Sequence, residues 1–447
     1  MTNSNENNYY IWTIGCQMNT ADSERLSSIL NGLGFSECKN ADDANIVVLN
    51  SCVVRQSAED KVTGMLTSLK SLKQRSEDTI VALMGCMVGP KTKALKTKFP
   101  YVDVFMKPQE YEPLINLIES QMGMDTTGCL SNLQPVKPHI STNVPIIHGC
   151  DEFCSFCIIP YRRGRQVSRE INDIVNEITL LTKRGVKEVT LLGQTVDAYG
   201  HDLASRTDLS ELLQSVNRID KLERIRFLTS HPIYMSNKII DSIANLSKVC
   251  EHILLPFQAG ADSVLKNMRR GYTKQEYINL VKKIRSQVPN VSMSTDVIVG
   301  FPGETEDDFK RMMDFLEEIA FERVGGFIYS LEDGTAAAEM SGRVPETLMR
   351  ERLEQVMDLQ RDISFQKNSA LVGSRMEALV DESHSDSPYF QEISPNGVFG
   401  IARTKGQAVD VDGVTHLHPT DELKSGEFVT IEIEESEDYD LIGKVVV

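Results

Sequence analysis

Three short apolar segments that each end in a cysteine constrain the fold of this chain more than any other feature. They are "YYIWTIGC", "NIVVLNSC" and "TIVALMGC", at residues 9–16, 45–52 and 79–86. Their β-branched and aromatic residues are typical of strands. The intervening residues 20–35 and 57–72 carry apolar side chains at helical spacing. This alternation predicts an open parallel α/β sheet with right-handed crossovers, which we assign to a first domain over residues 1–142.

The three cysteines follow the carboxyl ends of these predicted strands. In a parallel sheet those ends meet at one edge, so we expect Cys16, Cys52 and Cys86 to converge there. Three thiolates with no histidine nearby suit an iron–sulfur cluster better than structural zinc, which takes a closed set of four ligands. The alternative is that each is a buried apolar thiol, a frequent state of free cysteine.

A second group of cysteines lies within "HGCDEFCSFCIIPYRRGR", residues 148–165. Cys150, Cys154 and Cys157 are too tightly spaced for a zinc finger with no second ligand pair downstream. They can instead bind three corners of a cubane cluster and leave the fourth iron open.

The sequence offers a prediction of the compartment, and therefore of the redox environment of these thiols. The first ten residues show neither the basic start nor the apolar run of a signal peptide, and no apolar stretch approaches the roughly 18 residues of a membrane helix. We therefore expect a cytoplasmic protein with no membrane partner. In that compartment cysteines are metal ligands or catalytic groups more often than disulfides.

The middle of the chain again alternates strand and helix patterns. Six candidate strands lie at residues 144–150, 188–194, 224–230, 252–258, 293–300 and 323–330. Because six βα units are too few to close an eight-stranded barrel, we predict a partial (βα)6 barrel over residues 143–371. The strand-end residues Gln194, Ser230 and Gln258 then lie on the face where barrel active sites are built.

The last part of the chain changes to short strands separated by turns, at residues 375–382, 398–404, 408–413, 427–435 and 441–447. This pattern predicts a small antiparallel β-barrel of oligonucleotide-binding shape over residues 372–447. That segment holds five Lys or Arg and sixteen Asp or Glu, in a chain of net charge −17. An acidic barrel binds phosphates poorly unless its few cations share one face. Those cations are Arg375, Arg403, Lys405, Lys424 and Lys444.

The spacing C-x₃-C-x₂-C at the start of a partial barrel resembles the radical S-adenosylmethionine superfamily. The resemblance implies that Cys150, Cys154 and Cys157 hold a [4Fe–4S] cluster whose open iron binds S-adenosylmethionine. An electron from the cluster then cleaves that cofactor to a 5′-deoxyadenosyl radical. The candidate contacts to this cofactor are Phe156, Gln194, Ser230, Gln258, Arg269, Gly300 and Glu304. Arg270 is a further candidate.

The three domains together are similar to the methylthiotransferases, the last of them resembling a TRAM domain. "GCQMNTADSE", "NSCVVRQSAEDKV" and "IVGFPGETEDDF" resemble the branch that acts on isopentenyladenosine beside the anticodon of tRNA. This implies a second, auxiliary [4Fe–4S] cluster on Cys16, Cys52 and Cys86, which carries the sulfur to be transferred. It also implies three kinds of partner: the tRNA anticodon loop, a reductant such as flavodoxin or ferredoxin, and a sulfur or cluster donor.

Four arginines follow the second cysteine group: Arg162, Arg163, Arg165 and Arg169. We expect them to bind anticodon-loop phosphates, with guanidinium planes available for stacking on splayed bases. The alternative is a solvated basic turn that pairs with local carboxylates.

Other substrates and functions stay open at this point. The ending "DYDLIGKV" resembles the sister branch that methylthiolates an aspartate of a ribosomal protein, and a third branch acts on threonylcarbamoyl-adenosine in tRNA. The segment "YSLEDGTAAA" at residues 329–338 departs from the family's proline-rich "YSPRPGTPAA". A zinc-stabilised RNA-binding protein and an iron–sulfur electron carrier are the non-enzymatic alternatives. The sequence identifies no individual catalytic residue.

Overall fold

The computed structural model describes residues 7–52, 56–89, 92–130, 139–383, 400–418 and 423–446. These form two compact units. The first, which we call the sheet unit, contains the described residues up to 130 together with 143–153 and 157–167. The second, the barrel unit, contains 139–142, 154–156 and the described residues from 168 onward.

The sheet unit is built on the parallel sheet that the sequence predicts. Its strands are β1 (Asn8–Ile14), β2 (Ser36–Glu37), β3 (Ile46–Ser51), β4 (Ile80–Gly85) and β5 (Val104–Met106), in the order β2-β1-β3-β4-β5. All four strand pairs are parallel. The helices are α1 (Gln17–Gly32), α2 (Gln56–Arg75), α3 (Thr92–Lys98) and α4 (Glu112–Met122).

The central strands β3 and β4 are buried along their whole length, which is why they read as continuous apolar runs. Successive side chains of a strand point to opposite faces. Val47 and Leu49 accordingly pack in one hydrophobic cluster with residues of α2, while Ile46 and Val48 pack in another with residues of α1 and α4. Two helical layers therefore enclose the sheet and leave its edges as the places for chemistry.

The second cysteine group lies between two very short strands. In chain order the elements are β6 (Ser141–Pro145), β7 (Ile147–His148), α5 (Ile159–Arg163) and β8 (Val167–Ser168), and β7 pairs with β8. The five-residue helix α5 has Pro160 in its first turn, a position that proline favours. Cys150, Cys154 and Cys157 precede α5 in a segment without regular structure.

The six predicted barrel strands are confirmed, in two three-stranded sheets with the orders β10-β9-β6 and β11-β12-β13. The further strands are β9 (Glu188–Leu192), β10 (Arg224–Phe227), β11 (His252–Leu254), β12 (Ser292–Val299) and β13 (Arg323–Ile328). The Ser230 amide donates to the Leu254 carbonyl at 3.1 Å and joins the two sheets. The helices are α6 (Ile171–Lys183), α7 (Leu209–Asn217), α8 (Asn237–Asn245), α9 (Asp262–Asn267), α10 (Lys274–Gln287), α11 (Glu306–Ile319) and α12 (Glu346–Ser369).

The C-terminal segment is a closed five-stranded barrel, as predicted, in the order β14-β15-β16-β18-β17. It is not wholly antiparallel as expected, because β16 and β18 pair in parallel. Its strands are β14 (Arg375–Ser383), β15 (Gly400–Thr404), β16 (Thr415–Leu417), β17 (Phe428–Ser436) and β18 (Leu441–Val445). The predicted strand over residues 408–413 is wrong. The Asp412 carboxylate accepts from the Ala408 amide at 2.9 Å and Asp410 has φ +57°, so the chain turns there and β16 begins later. Residues 398–399 and 447, the ends of two predicted strands, lie outside the described residues.

Buried charges attach this small barrel to the amino ends of β9 and β10. Arg403 has a side chain 3% exposed and bonds Glu188 at 2.8 Å and Asp381 at 2.7 Å. Arg224 and Arg226 donate to backbone carbonyls of residues 403–405. Of the other cations, Arg375, Lys405 and Lys444 each pair with a glutamate. The single cationic face that phosphate binding would need is therefore not formed by these four cations.

Candidate functional site

The ends of β1, β3 and β4 bring three cysteines to one edge of the sheet. Ile14 lies opposite Ser51, and Ser51 lies opposite Gly85, so the residues that follow are neighbours. We call Cys16, Cys52 and Cys86 the sheet triad. The Cys86 amide donates to the Ser51 carbonyl at 2.9 Å. Cys52 and Cys86 are buried, whereas Cys16 is exposed at the N-cap of α1, where the helix dipole favours negative charge.

Two glycines permit this close approach of the strand ends. Gly85 has φ +102°, and a Cβ there would lie 2.4 Å from the Ser51 carbonyl oxygen. Gly15 has φ +154°, and its Cβ would lie 2.9 Å from that of Cys52. Any side chain at either position would push neighbouring strand ends apart. The glycines before Cys16 and Cys86 therefore serve the geometry of the triad.

Two fully buried asparagines fix the first turn of α1 against β3. The Asn19 side chain donates to Asn50 Oδ1 at 3.0 Å and to the Ser51 carbonyl at 3.1 Å, and Asn50 donates back to the Asn19 carbonyl at 2.7 Å. The Cys16 thiol donates to Asn19 Oδ1 at 3.3 Å. Sequence reasoning did not single out either asparagine, although Asn19 lies in "GCQMN" and Asn50 in "LNSC".

A buried arginine contacts the sheet triad. Arg163 Nε donates to Cys86 Sγ at 3.2 Å, and its NH1 donates to Asp22 at 3.1 Å. The side chains of Arg163 and Asp22 are 3% and 0% exposed. Burial raises the pKa of the Cys86 thiol to about 12 even though the guanidinium opposes this. If Cys86 held a cluster, iron would displace that proton and Arg163 would stabilise the resulting thiolate.

The other predicted RNA-binding arginines pair with local groups. Arg165 forms two hydrogen bonds to Asp151, at 2.6 and 3.1 Å, and Arg169 bonds Glu177 at 2.5 Å. Arg162 lies against the backbone of Gly89. The burial of Arg163 argues against the phosphate contact predicted for it. The pairing of Arg165 and Arg169 matches the alternative of a basic turn that neutralises nearby carboxylates.

We call Cys150, Cys154 and Cys157 the loop triad. Cys150 and Cys157 pack in the hydrophobic core of the sheet unit. In the barrel unit Arg270, only 5% exposed, donates to Cys154 Sγ at 3.3 Å and to the Pro256 carbonyl at 3.2 Å. Arg269, the predicted cofactor contact, is exposed and has φ +59°. The structure thus gives the contact with the cysteine to Arg270 instead.

The carboxyl ends of the barrel strands carry buried polar atoms that have no hydrogen-bond partner within the described part of the chain. They are Ser230 Oγ, His231 Nε2 and Tyr329 Oη. Burial and the charge of Arg270 lower the pKa of His231 to about 3, so its imidazole is neutral. The Asp197 carboxylate accepts from the His231 amide at 2.9 and 3.0 Å. Buried polar groups seldom stay unsatisfied, so these atoms fit a polar ligand such as S-adenosylmethionine.

Two predicted cofactor contacts have internal roles. The Glu304 carboxylate accepts from the amides of Gly300 and Phe301 and lies 3.6 Å from Arg352, and burial raises its pKa to about 7. Gly300 has φ +77°, and a Cβ there would lie 2.3 Å from Met349 Cγ. These residues shape the turn after β12 and its packing on α12.

The remaining predicted cofactor contacts are placed as follows. Phe156 and Gln194 are half-buried. Gln258 has φ +78°, and its backbone joins the sheet beside β12.

The described residues contain no group of three or more His, Cys, Asp or Glu side chains arranged around a single metal ion. A structural zinc needs its ligands to converge on one point. In a [4Fe–4S] cluster each cysteine binds a different iron, so the thiols stand apart. Each triad supplies three thiols, the type of ligand that holds a [4Fe–4S] cluster.

Three family models cover most of the chain. Residues 8–107 match Uncharacterized protein family UPF0004, residues 144–316 match the radical SAM superfamily, and residues 372–446 match the TRAM domain. Among the helices of the described residues, none is long and apolar enough to cross a membrane.

Curated relatives match the chain over nearly its whole length. A tRNA-2-methylthio-N(6)-dimethylallyladenosine synthase from Alkaliphilus oremlandii is 39% identical over 98% of this chain and 92% of its own. Enzymes of the same name from Chloroflexus aurantiacus and Dehalococcoides mccartyi are each 43% identical, over 84% and 83% of this chain and 82% and 87% of their own.

Solved structures share the fold at low sequence identity. The radical S-adenosylmethionine methyltransferase TsrM from Kitasatospora setae, solved with cobalamin and a [4Fe–4S] cluster, gives a TM-score of 0.56 at 14% identity over 74% of this chain and 77% of its own. The cobalamin-dependent radical enzyme OxsB gives a TM-score of 0.50 at 12% identity over 80% and 56%. These likenesses concern the fold alone.

Proposed function

Because the chain belongs to the tRNA-2-methylthio-N(6)-dimethylallyladenosine synthase family, we propose that it transfers a methylthio group to carbon 2 of isopentenyladenosine in tRNA. The observation that carries this proposal is the sheet triad. A sulfur-inserting radical enzyme needs a second site to hold the sulfur, and a second set of three cysteines at one sheet edge can provide that site.

The proposed cofactors are S-adenosylmethionine and two [4Fe–4S] clusters, one on each triad. When bound, they supply the electron, the 5′-deoxyadenosyl radical, the methyl group and the sulfur. The chain's own residues hold and orient them. Arg270 stabilises the Cys154 thiolate, Arg163 stabilises the Cys86 thiolate, and Ser230 and His231 offer unsatisfied polar atoms to S-adenosylmethionine.

A neutral His231 suits radical chemistry at this site. With its pKa lowered to about 3, the imidazole carries no charge at neutral pH and does not repel the sulfonium of S-adenosylmethionine. The buried Asp197 fixes the backbone of His231 and so positions the ring.

We place the enzyme in the cytoplasm, with flavodoxin or ferredoxin as reductant and a separate protein as sulfur or cluster donor.

One observation favours a second candidate, an aspartate of a basic ribosomal protein as substrate. Arg375, Arg403, Lys405 and Lys444 of the C-terminal barrel are paired with carboxylates, which leaves an acidic surface better matched to a basic protein than to RNA phosphates.

Parallel assays with each substrate alone distinguish these possibilities. The reconstituted enzyme is incubated anaerobically with dithionite, S-adenosylmethionine and one of three substrates: isopentenylated tRNA, threonylcarbamoylated tRNA or the ribosomal protein. Mass spectrometry then measures the methylthio gain. We expect the gain on isopentenylated tRNA alone, and a gain on the protein or on the other tRNA with none on this one would overturn the proposal.

A further inference from the structure

Two large aromatic side chains in the cysteine loop are exposed. Phe153 is 38% exposed and Tyr161 is 49% exposed, although each has a large apolar area that folding normally removes from water. Their rings meet edge to face, with centroids 5.8 Å apart and planes at 78°. This contact orders the two exposed rings against each other.

An arginine completes the cluster. The Arg165 guanidinium lies 5.6 Å from the centroid of the Phe153 ring, and two hydrogen bonds to Asp151 hold it in place. The Arg165 side chain is 72% exposed, so it stays accessible from solvent although Asp151 occupies two of its N–H donors.

The chain places this cluster beside the proposed radical chemistry. Phe153 immediately precedes Cys154, and Tyr161 follows Cys157 by four residues on the short helix α5. Adjacent Cα atoms are about 3.8 Å apart, so the Phe153 backbone lies directly beside a proposed cluster ligand.

We propose that Phe153, Tyr161 and Arg165 form a stacking surface for an unpaired nucleobase of the anticodon loop, next to the adenosine that reacts. The inference rests on the proposed function and adds how the RNA is held. Ring faces and guanidinium planes are the groups on which single-stranded RNA bases stack. An acidic protein segment would instead need a free cation, and the charge of Arg165 is already paired with Asp151.

The test uses holoenzyme with both clusters and an isopentenylated anticodon stem-loop, whose dissociation constant is measured anaerobically. Phe153→Ala and Tyr161→Ala are each expected to weaken binding by about 5- to 150-fold, the range of one lost base–aromatic stack. Tyr161→Phe keeps the ring and is expected to bind like wild type. Phe365→Ala is the matched control, because Phe365 is 46% exposed on α12 in the barrel unit.

Iron content and RNA-independent 5′-deoxyadenosine formation are measured in every variant, and both are expected to match wild type. Wild-type affinity in both alanine variants would overturn the inference and leave the proposed function standing. If wild type binds no stem-loop but modifies the ribosomal protein, the proposed function fails as well, and weaker binding of that protein by the alanine variants would assign the surface to a protein partner.

Discussion

The sheet triad and the loop triad assemble three cysteines by opposite routes. The sheet triad takes one cysteine from each of three strand ends, and its geometry depends on parallel register and on Gly85. The loop triad lies within eight residues of the chain and needs no sheet to bring it together. Strand register therefore brings the first three cysteines together, whereas the second three are already close in the sequence and are held by packing against residues far from them in the chain.

The arginine beside each triad differs in whether it bonds a carboxylate that balances its positive charge. Arg163 bonds both Cys86 and the buried carboxylate of Asp22. Arg270 bonds Cys154, the Pro256 carbonyl and the Tyr272 hydroxyl, none of which is a carboxylate. Among the described residues, Arg270 thus has no carboxylate in hydrogen-bond contact, and its charge suits the carboxylate of S-adenosylmethionine, while the sheet triad lies next to an arginine paired with Asp22.

The largest expected effect is the loss of reaction products when a cysteine of either triad is replaced, because each triad supports a different reaction. Cys16→Ala should still form 5′-deoxyadenosine but give no methylthiolated tRNA, because only the sulfur site is lost. Cys154→Ala should give neither product. Chromatography of the nucleoside and mass spectrometry of the tRNA measure both, and loss of both products in Cys16→Ala would mean that the sites are misassigned.

Removing each arginine tests the difference in charge compensation. Arg163→Met leaves the buried Asp22 carboxylate without its partner and should lower the free energy of unfolding by about 3–5 kcal/mol. Arg270→Met leaves no carboxylate behind and should lower it by about 1–3 kcal/mol. Urea unfolding of the apoprotein measures both.

Asp22→Asn is the matched second change for these variants. It should recover part of the loss in Arg163→Met and none in Arg270→Met. Equal losses in the two single variants, or no recovery by Asp22→Asn, would contradict the contrast between the sites.

Acid should affect the two units differently. Burial alone would raise the pKa of Glu188, but Arg226 and Arg403 hold it at about 2, so the barrel unit loses about 3 kcal/mol as the pH falls from about 4.5 toward 2. Burial raises the pKa of Asp22, so protonation of that carboxyl in acid does not destabilise the sheet unit.

Two signals follow the units during an acid titration. The single tryptophan, Trp12, lies on β1 and reports the sheet unit, while circular dichroism reports the whole chain. We expect circular dichroism to change at higher pH than Trp12 fluorescence, and Glu188→Gln to remove the difference. Coincident transitions in wild type would contradict the prediction.

A smaller effect tests the geometry of the sheet edge. Gly85→Ala should lower the free energy of unfolding by about 1–3 kcal/mol through backbone strain and reduce the iron bound at the sheet triad. Gly64→Ala, in α2 with open space around its Cα, is the control and should be neutral or slightly stabilising. Trp12 fluorescence in urea and iron analysis measure the two effects. A Gly85→Ala protein with full iron and wild-type stability would show that the close approach is unnecessary.

Hydrophobic pattern and turn residues, which are local, sufficed to predict the parallel sheet, the six barrel strands and most of the small barrel. The strand predicted at residues 408–413 was wrong because "AVDVDG" alternates like a strand, while the Asp412 side chain binds the Ala408 amide and closes a turn. Alternation does not reveal such a side-chain acceptor.

Tertiary contacts determine which groups the arginines bind. The phosphate contact expected for Arg163 depended on its basic neighbours, whereas its partner Asp22 is 141 residues away in the sequence. Arg269 and Arg270 are adjacent and chemically identical, so only the backbone conformation around them shows which one meets Cys154. Arg270, Asn19 and Asn50 act through contacts between distant segments, and the sequence alone carries no signal of those contacts.

Iron analysis of three reconstituted proteins tests most directly whether the two triads are separate cluster sites. Wild type should bind about eight irons, and replacement of either whole triad by alanine should leave about four, since each [4Fe–4S] cluster holds four. If the variant without Cys16, Cys52 and Cys86 kept the iron content of wild type, the sheet triad would hold no cluster and the account would fail.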